Sequence, residues 1–256
     1  MEILALTETR AMEIRSPRDW IRLVSGMAVV FVLFQVSAIA LGSDRGQAGI
    51  VVGALVTAAT LAAERLWFTA TLVSATRAVG LRTPSLQGLI VAGGIAVLLF
   101  LVLPFYVAVT GSHWAMDAHW LERLPGLFAQ AGIAEEVLFR GYLFGHLRRG
   151  RSFWRAATIS MVPFFVVHLL MFLTMPWPIA MASLLLAVVI SFPMAHLFEL
   201  GNMTIWPPAF LHFIVQGTVK TIHIAGESSD AFPLVWIGAS AVIPALSLFV
   251  RRPASG

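Results

Sequence analysis

The sequence has no cysteine, a single lysine and two tyrosines in 256 residues. Without cysteine there is no disulfide framework, no thiolate metal site and no thiol nucleophile. Charge is also scarce. Asp, Glu, Lys and Arg supply 12% of the chain, against about 25% in soluble domains of ordinary composition. With 59% hydrophobic residues and a mean hydropathy of +0.86, the chain suits the bilayer as its solvent rather than water. Aspartate occurs only at Asp19, Asp44, Asp117 and Asp230, all outside the apolar runs, which excludes an intramembrane aspartyl dyad. No His-Glu-x-x-His occurs, so a two-histidine zinc helix is missing. Ser160 and Ser191 lie in apolar runs without a Gly-x-Ser-x-Gly turn, and they read as hydroxyls bonding their own helix backbone.

What remains is a series of apolar runs near the 20 residues that a helix needs to cross about 30 Å of hydrocarbon. Eight are expected, at Leu23–Gly42, Ala48–Leu66, Leu86–Val109, Leu124–Leu147, Ala156–Met175, Ile179–Phe198, Ile205–Ile224 and Phe232–Val250. Trp20, Trp67, Trp154, Trp177, Trp206 and Trp236 fall close to their ends, where an amphipathic ring prefers the headgroup region. The expected fold class is therefore all-α, a polytopic membrane helical bundle of about eight transmembrane helices. It forms one domain over 23–252, preceded by a lead-in over 1–22. Four arginines and four acids with no early apolar run argue that this lead-in is not a cleavable signal peptide.

Basic residues are retained on the cytosolic side of a membrane. With the N-terminus inside, that side holds Arg10, Arg15, Arg18, Arg22, Arg65, Arg77, Arg82, Arg148, Arg149, Arg151, Arg155, Arg251 and Arg252, whereas the other keeps Arg45, Arg123 and Lys220. Both termini are expected in the cytosol. The excess of arginine over lysine and the abundance of alanine suit a prokaryotic plasma membrane as the location.

Ionisable residues inside the spans cost several kcal/mol unless they are paired or face a hydrated cavity. The fourth span contains Ala134-Glu135-Glu136-Val137-Leu138-Phe139-Arg140. Glu136 and Arg140 are four apart and share a face, where an ion pair is natural. Glu135 is turned about 100° away and can meet another helix. The fifth span carries Phe164 and His168, and the seventh carries His212 and Gln216, spaced so that imidazole and amide enter one space. Taken alone, such a cluster suits either a structural ion network or a catalytic site. A metal held by Glu135, Glu136, His168 and His212 is chemically conceivable.

The Glu-Glu-x-x-x-Arg of Glu135 to Arg140, the Phe-x-x-x-His of Phe164 to His168, and the later His212 resemble the CAAX protease and bacteriocin-processing (CPBP) family of intramembrane glutamic peptidases, which includes the Ras-converting CAAX endopeptidase. Gly201-Asn202 and Trp206-Pro207-Pro208 also look like family members. The resemblance covers Leu124 to Ile224, the expected catalytic core at 124–224. It implies that Glu135 activates a water with His168 helping to hold it, that Glu136 and Arg140 fix the helix beside Phe164, and that His212 and Gln216 donate to the oxyanion. It also implies a site with no metal and no cofactor. The expected partners are the bilayer and a membrane-associated peptide or protein, lipid-modified or not, with no nucleic acid. The departure is Gln216, where the family usually has asparagine. On sequence alone, Gln216→Asn is expected to raise turnover. The alternative reading is a non-catalytic membrane scaffold or immunity protein that keeps the polar cluster.

Other polar residues have plainer readings. His196 with Glu199, and Glu64 with Arg65, read as pairs at span ends, and His146 and His223 as side chains near span ends that reach water. His113, Asp117, His119 and Glu122 read as a solvated loop, Pro163 as a bend, and Asn202 or Thr204 as caps for the seventh helix.

Overall fold

The computed structural model describes residues 13–42 and 46–251, so Arg10, Asp44, Arg45, Arg252 and most of the lead-in lie outside the described residues. α1 (Pro17–Ala40) opens on a reciprocal cap. Ser16 accepts from the Asp19 N–H, and the Asp19 carboxylate accepts from the Ser16 N–H at 2.9 Å. α2 (Gln47–Trp67) follows, and then α3 (Leu72–Ala78), a short helix that hydropathy does not announce. α4 (Leu86–Thr110) starts at a Ser85 cap and stops at Gly111, whose φ of 68° is left-handed. After β1 (His113–Met116) comes α5 (Trp120–Leu127), which continues through two wide π-helical stretches, Phe128–Ala134 and Val137–Phe144, into α6 (Gly145–Arg148). α7 (Phe153–His168) tightens into a 3₁₀ turn at Leu169–Leu173, and α8 (Trp177–Leu200), α9 (Trp206–Thr221), β2 (Ile222–Ala225) and α10 (Phe232–Val242) complete the order, with a 3₁₀ tail at Pro244–Phe249.

Six helices among the described residues are long and apolar enough to cross a membrane: Pro17–Ala40, Gln47–Trp67, Leu86–Thr110, Phe153–Leu173, Trp177–Leu200 and Ser229–Phe249. The architecture is consistent with an integral, multi-pass membrane protein. Polarity is inverted relative to a water-soluble fold. Ile39, Phe105, Leu173 and Phe249 stand well exposed on the outside, while Glu64, Glu136, Arg140, His146 and His212 are buried.

The other two expected spans behave differently. The fourth is broadened to π geometry over much of its length, so the assumption of plain α geometry around Glu135 and Glu136 is corrected. Wide turns of this kind recur where side chains must be re-aimed toward a site. The seventh stops as a helix at Thr221 after 16 residues. Ile222–Ala225 leaves it to pair antiparallel with β1, Trp114 opposite Ile224, as suits the β-branched Ile222 and Ile224.

Small residues bring α2 onto the helix that carries the two glutamates. A Cβ added at Gly49 would stand 2.6 Å from the Gly126 carbonyl oxygen, and one at Gly53 2.7 Å from that of Ala129. Any side chain there would force the backbones apart. α9 packs against the same π-helical stretch, so the glutamates enter the middle of the bundle.

The plainer readings meet different outcomes. Glu64 turns inward to His146, Nε2 to Oε2 2.7 Å, and neither side chain is more than 1% exposed. His146 therefore does not reach water, because Phe68 and Tyr142 close over it. Glu199 ion-pairs with Arg148, and His196 meets the Val250 carbonyl at 3.0 Å. Neither Asn202 nor Thr204 caps α9. Ile205 occupies that position with no side-chain cap, Thr204 bonds the Gly201 carbonyl, and Asn202 adopts a left-handed φ of 67°. Ser160 and Ser191 bond the carbonyls of Ala157 and Ala187 within their own helices.

Candidate active site

The site begins with two adjacent carboxylates that the wide helix delivers into the bundle and that end in different environments. Glu136 is fully buried, and its Oε1 accepts from the Arg140 guanidinium at 3.1 Å, with both side chains withdrawn from solvent. The same oxygen meets Nδ1 of His212 at 2.8 Å. Arg140 in turn lies 5.0 Å from the centre of the Phe164 ring, a cation–π contact. Phe164 is held edge-on by Phe139 at 4.8 Å between ring centres. Glu136, Arg140 and Phe164 thus form a packed wall, in which the second Glu136 oxygen is buried without a protein partner among the described residues.

Glu135 is not tied down in this way. Its Oε2 stands 3.7 Å from Nε2 of His212, beyond hydrogen-bond length, and its side chain keeps 14% exposure. The gap is too narrow for a water to lie in line between the two groups, but a water beside it can contact both. Arg140 pairs with Glu136 rather than with Glu135, so the Glu135 carboxylate keeps its lone pairs for a proton.

His168 is the last residue of α7 and is half-buried. Its Nδ1 lies 2.7 Å from the Phe164 carbonyl. A carbonyl can only accept, so Nδ1 carries the proton and Nε2 is left with the lone pair. Glu135, Arg140 and His212 are the ionisable groups whose fields reach this ring.

On α9, Gln216 places its amide nitrogen 2.8 Å from Nε2 of His212, and Lys220 donates to the Gln216 oxygen at 2.7 Å. Periodicity pairs His212 with Gln216, but the part taken by Lys220 is missed. Its spacing of four from Gln216 and eight from His212 is the signal that could have found it. Glu64 and His146 are missed as a buried pair because their contact joins separate helices. Among the described residues, no three carboxylate or imidazole groups are arranged to hold a metal ion. Glu136 and the His212 Nδ1 are turned on one another instead.

Residues 117–218 match the family model described as type II CAAX prenyl endopeptidase Rce1-like. That stretch contains Glu135, Glu136, Arg140, Phe164, His168, His212 and Gln216. The buried glutamate and histidine pairs are consistent with a cluster of the glutamic-peptidase type. A comparison with curated proteins gives no match.

Proposed function

We propose that this chain, which belongs to the CAAX/Abi protease family, is an intramembrane endopeptidase that hydrolyses a peptide bond with a water activated by Glu135. The observation that carries the reading is the contrast between the two adjacent carboxylates. One is consumed by Arg140 and His212, and the other faces a 3.7 Å gap. In the proposed reaction Glu135 takes a proton from water, and the resulting hydroxide adds to the scissile carbonyl carbon. The oxyanion forms beside His212 and Gln216, and the proton held by Glu135 passes to the departing amine as the C–N bond breaks. The lone pair of His168 Nε2 holds the water in line. Donors to an oxyanion are commonly worth about 3 kcal/mol each.

The topology that goes with this reading has eight spans and both termini in the cytosol of a prokaryote. The helix of 120–148 and α9 serve as the two spans beyond the six apolar ones. The substrate is a membrane-associated peptide or protein that enters the cavity between the fourth, fifth and seventh spans. Glu135→Ala and His168→Ala should each abolish cleavage while the protein stays inserted, and undiminished cleavage in either refutes the assignment.

A second reading, a non-catalytic scaffold, is favoured by one observation: the Gln216 amide already fills the His212 Nε2 lone pair. Under that reading both variants keep the protein's membrane partners and no peptide terminus depends on Glu135.

A further inference from the structure

The chain's only lysine stands at one end of a line of five hydrogen-bonded side chains. Lys220 meets Gln216 Oε1 at 2.7 Å, Gln216 Nε2 meets His212 Nε2 at 2.8 Å, His212 Nδ1 meets Glu136 Oε1 at 2.8 Å, and Arg140 meets that same oxygen at 3.1 Å. An ammonium and a guanidinium can only donate, so the two ends fix the direction of every bond between them. Lys220 occupies the amide oxygen, so Gln216 turns its NH₂ on His212, and Nε2 accepts. Glu136 accepts from Arg140, so Nδ1 of His212 carries the ring proton. The ring is then the Nδ1–H tautomer with its Nε2 lone pair filled.

This polarity bears on which group can donate to a nascent oxyanion. Nε2 of His212 has no hydrogen to give in this arrangement. The second N–H of Gln216 has no partner among the described residues and belongs to the same small space as the Glu135 carboxylate, since both converge on His212 Nε2. The length of glutamine also has a reason. Residues four apart are separated by about 6 Å along a helix, and the amide at 216 must reach His212 behind it and Lys220 ahead of it. Lys220 lies two residues past the stretch matched by the family model.

We propose that Lys220 is a positioning residue that locks the Gln216 amide and through it holds His212 as the Nδ1–H tautomer, making Gln216 the oxyanion donor and His212 its anchor. The assignment of donor rests on the peptidase reading of this site, whereas the tautomer lock does not.

The test uses the full chain in lipid nanodiscs with ¹⁵N-labelled histidine rings, the His212 signals being identified by their loss in His212→Gln. The wild-type ring should show a protonated Nδ1 and an unprotonated Nε2. Lys220→Met should erase that preference and move Nε2 toward the position of a protonated nitrogen, while Lys220→Arg, which keeps a donor, should restore it. The other six histidines report whether the fold is intact. A wild-type His212 protonated on Nε2, or a Lys220→Met spectrum identical to wild type, overturns the lock, and the wild-type result decides even where the variant does not fold. On a substrate identified through Glu135 variants, Lys220→Met should lower kcat about 10-fold with KM unchanged, an effect absent if Gln216 is not the donor. Should Glu135→Ala leave cleavage intact, the peptidase reading fails and the ring spectra still judge the lock.

Discussion

Two meetings of glutamate with histidine in this bundle, Glu64 with His146 and Glu135 with His212, use the same residue types and come out differently. Between α2 and α6, Glu64 and His146 touch at 2.7 Å with essentially no exposure, under the rings of Phe68 and Tyr142, and the Arg149 guanidinium takes the other imidazole nitrogen at 2.9 Å. That imidazole has both nitrogens engaged and no room beside it. Between the wide helix and α9, Glu135 stops 3.7 Å short of His212 and keeps partial exposure. A closed contact ties helices together, whereas an open one leaves a carboxylate with lone pairs and a space for a reactant. The distance and the access, more than the residue types, separate a structural tie from a candidate site.

The sharpest way to break this comparison is to remove the acid from each pair without changing its shape. Glu135→Gln is expected to lower cleavage by about 10²- to 10⁴-fold, the scale of a lost general base. Glu64→Gln should leave cleavage per folded molecule unchanged. Equal losses in a proteoliposome assay would erase the distinction. Next in size is Arg140→Leu, which leaves the buried Glu136 carboxylate with only the His212 Nδ1–H as a partner. Breaking such a pair costs about 3–5 kcal/mol, so thermal unfolding in detergent should move well below that of wild type. Glu64→Gln should show a smaller stability loss of about 1–3 kcal/mol, read in the same unfolding experiment.

Gln216→Asn comes next. The resemblance alone suggests that it raises turnover, but asparagine is a methylene too short to hold both Lys220 and His212. The structure therefore gives the opposite sign, a fall of about 10-fold in kcat, less than the roughly 10²-fold or more that outright removal of an oxyanion donor costs. The smallest effect lies outside the six long apolar helices. The His119 N–H and then the His223 ring hold the Asp117 carboxyl below the usual carboxylate range. Its contribution is present above the ordinary carboxylate pKa and fades as pH falls through the lowered one. Hydrogen exchange in His113–Arg123 should thus rise only below about pH 4, and Asp117→Asn should remove that dependence.

Much of this was legible from the chain. The apolar runs gave helix positions to within about a turn at most ends, because length and hydropathy are local properties. The Glu136–Arg140 pair followed from a spacing of four, as did the shared face of His212 and Gln216. What was not legible depends on contacts between distant segments. The Glu64–His146 tie joins residues 82 apart, and nothing near Glu64 distinguishes an inward glutamate from one at a helix end beside Arg65. The pairing of β1 with β2 is decided by where the chain returns, so Ile222 and Ile224 looked like the last turn of a helix. The π-helical stretches likewise lie where α2 and α9 pack closely around small residues, which no window of hydropathy records.

The central claim is that Glu135 activates a water for peptide hydrolysis. The most direct measurement compares the peptide termini in membranes of cells carrying the wild-type chain with those carrying Glu135→Ala at equal insertion. The account predicts at least one terminus present with wild type and missing from the variant. Identical sets of termini would contradict it.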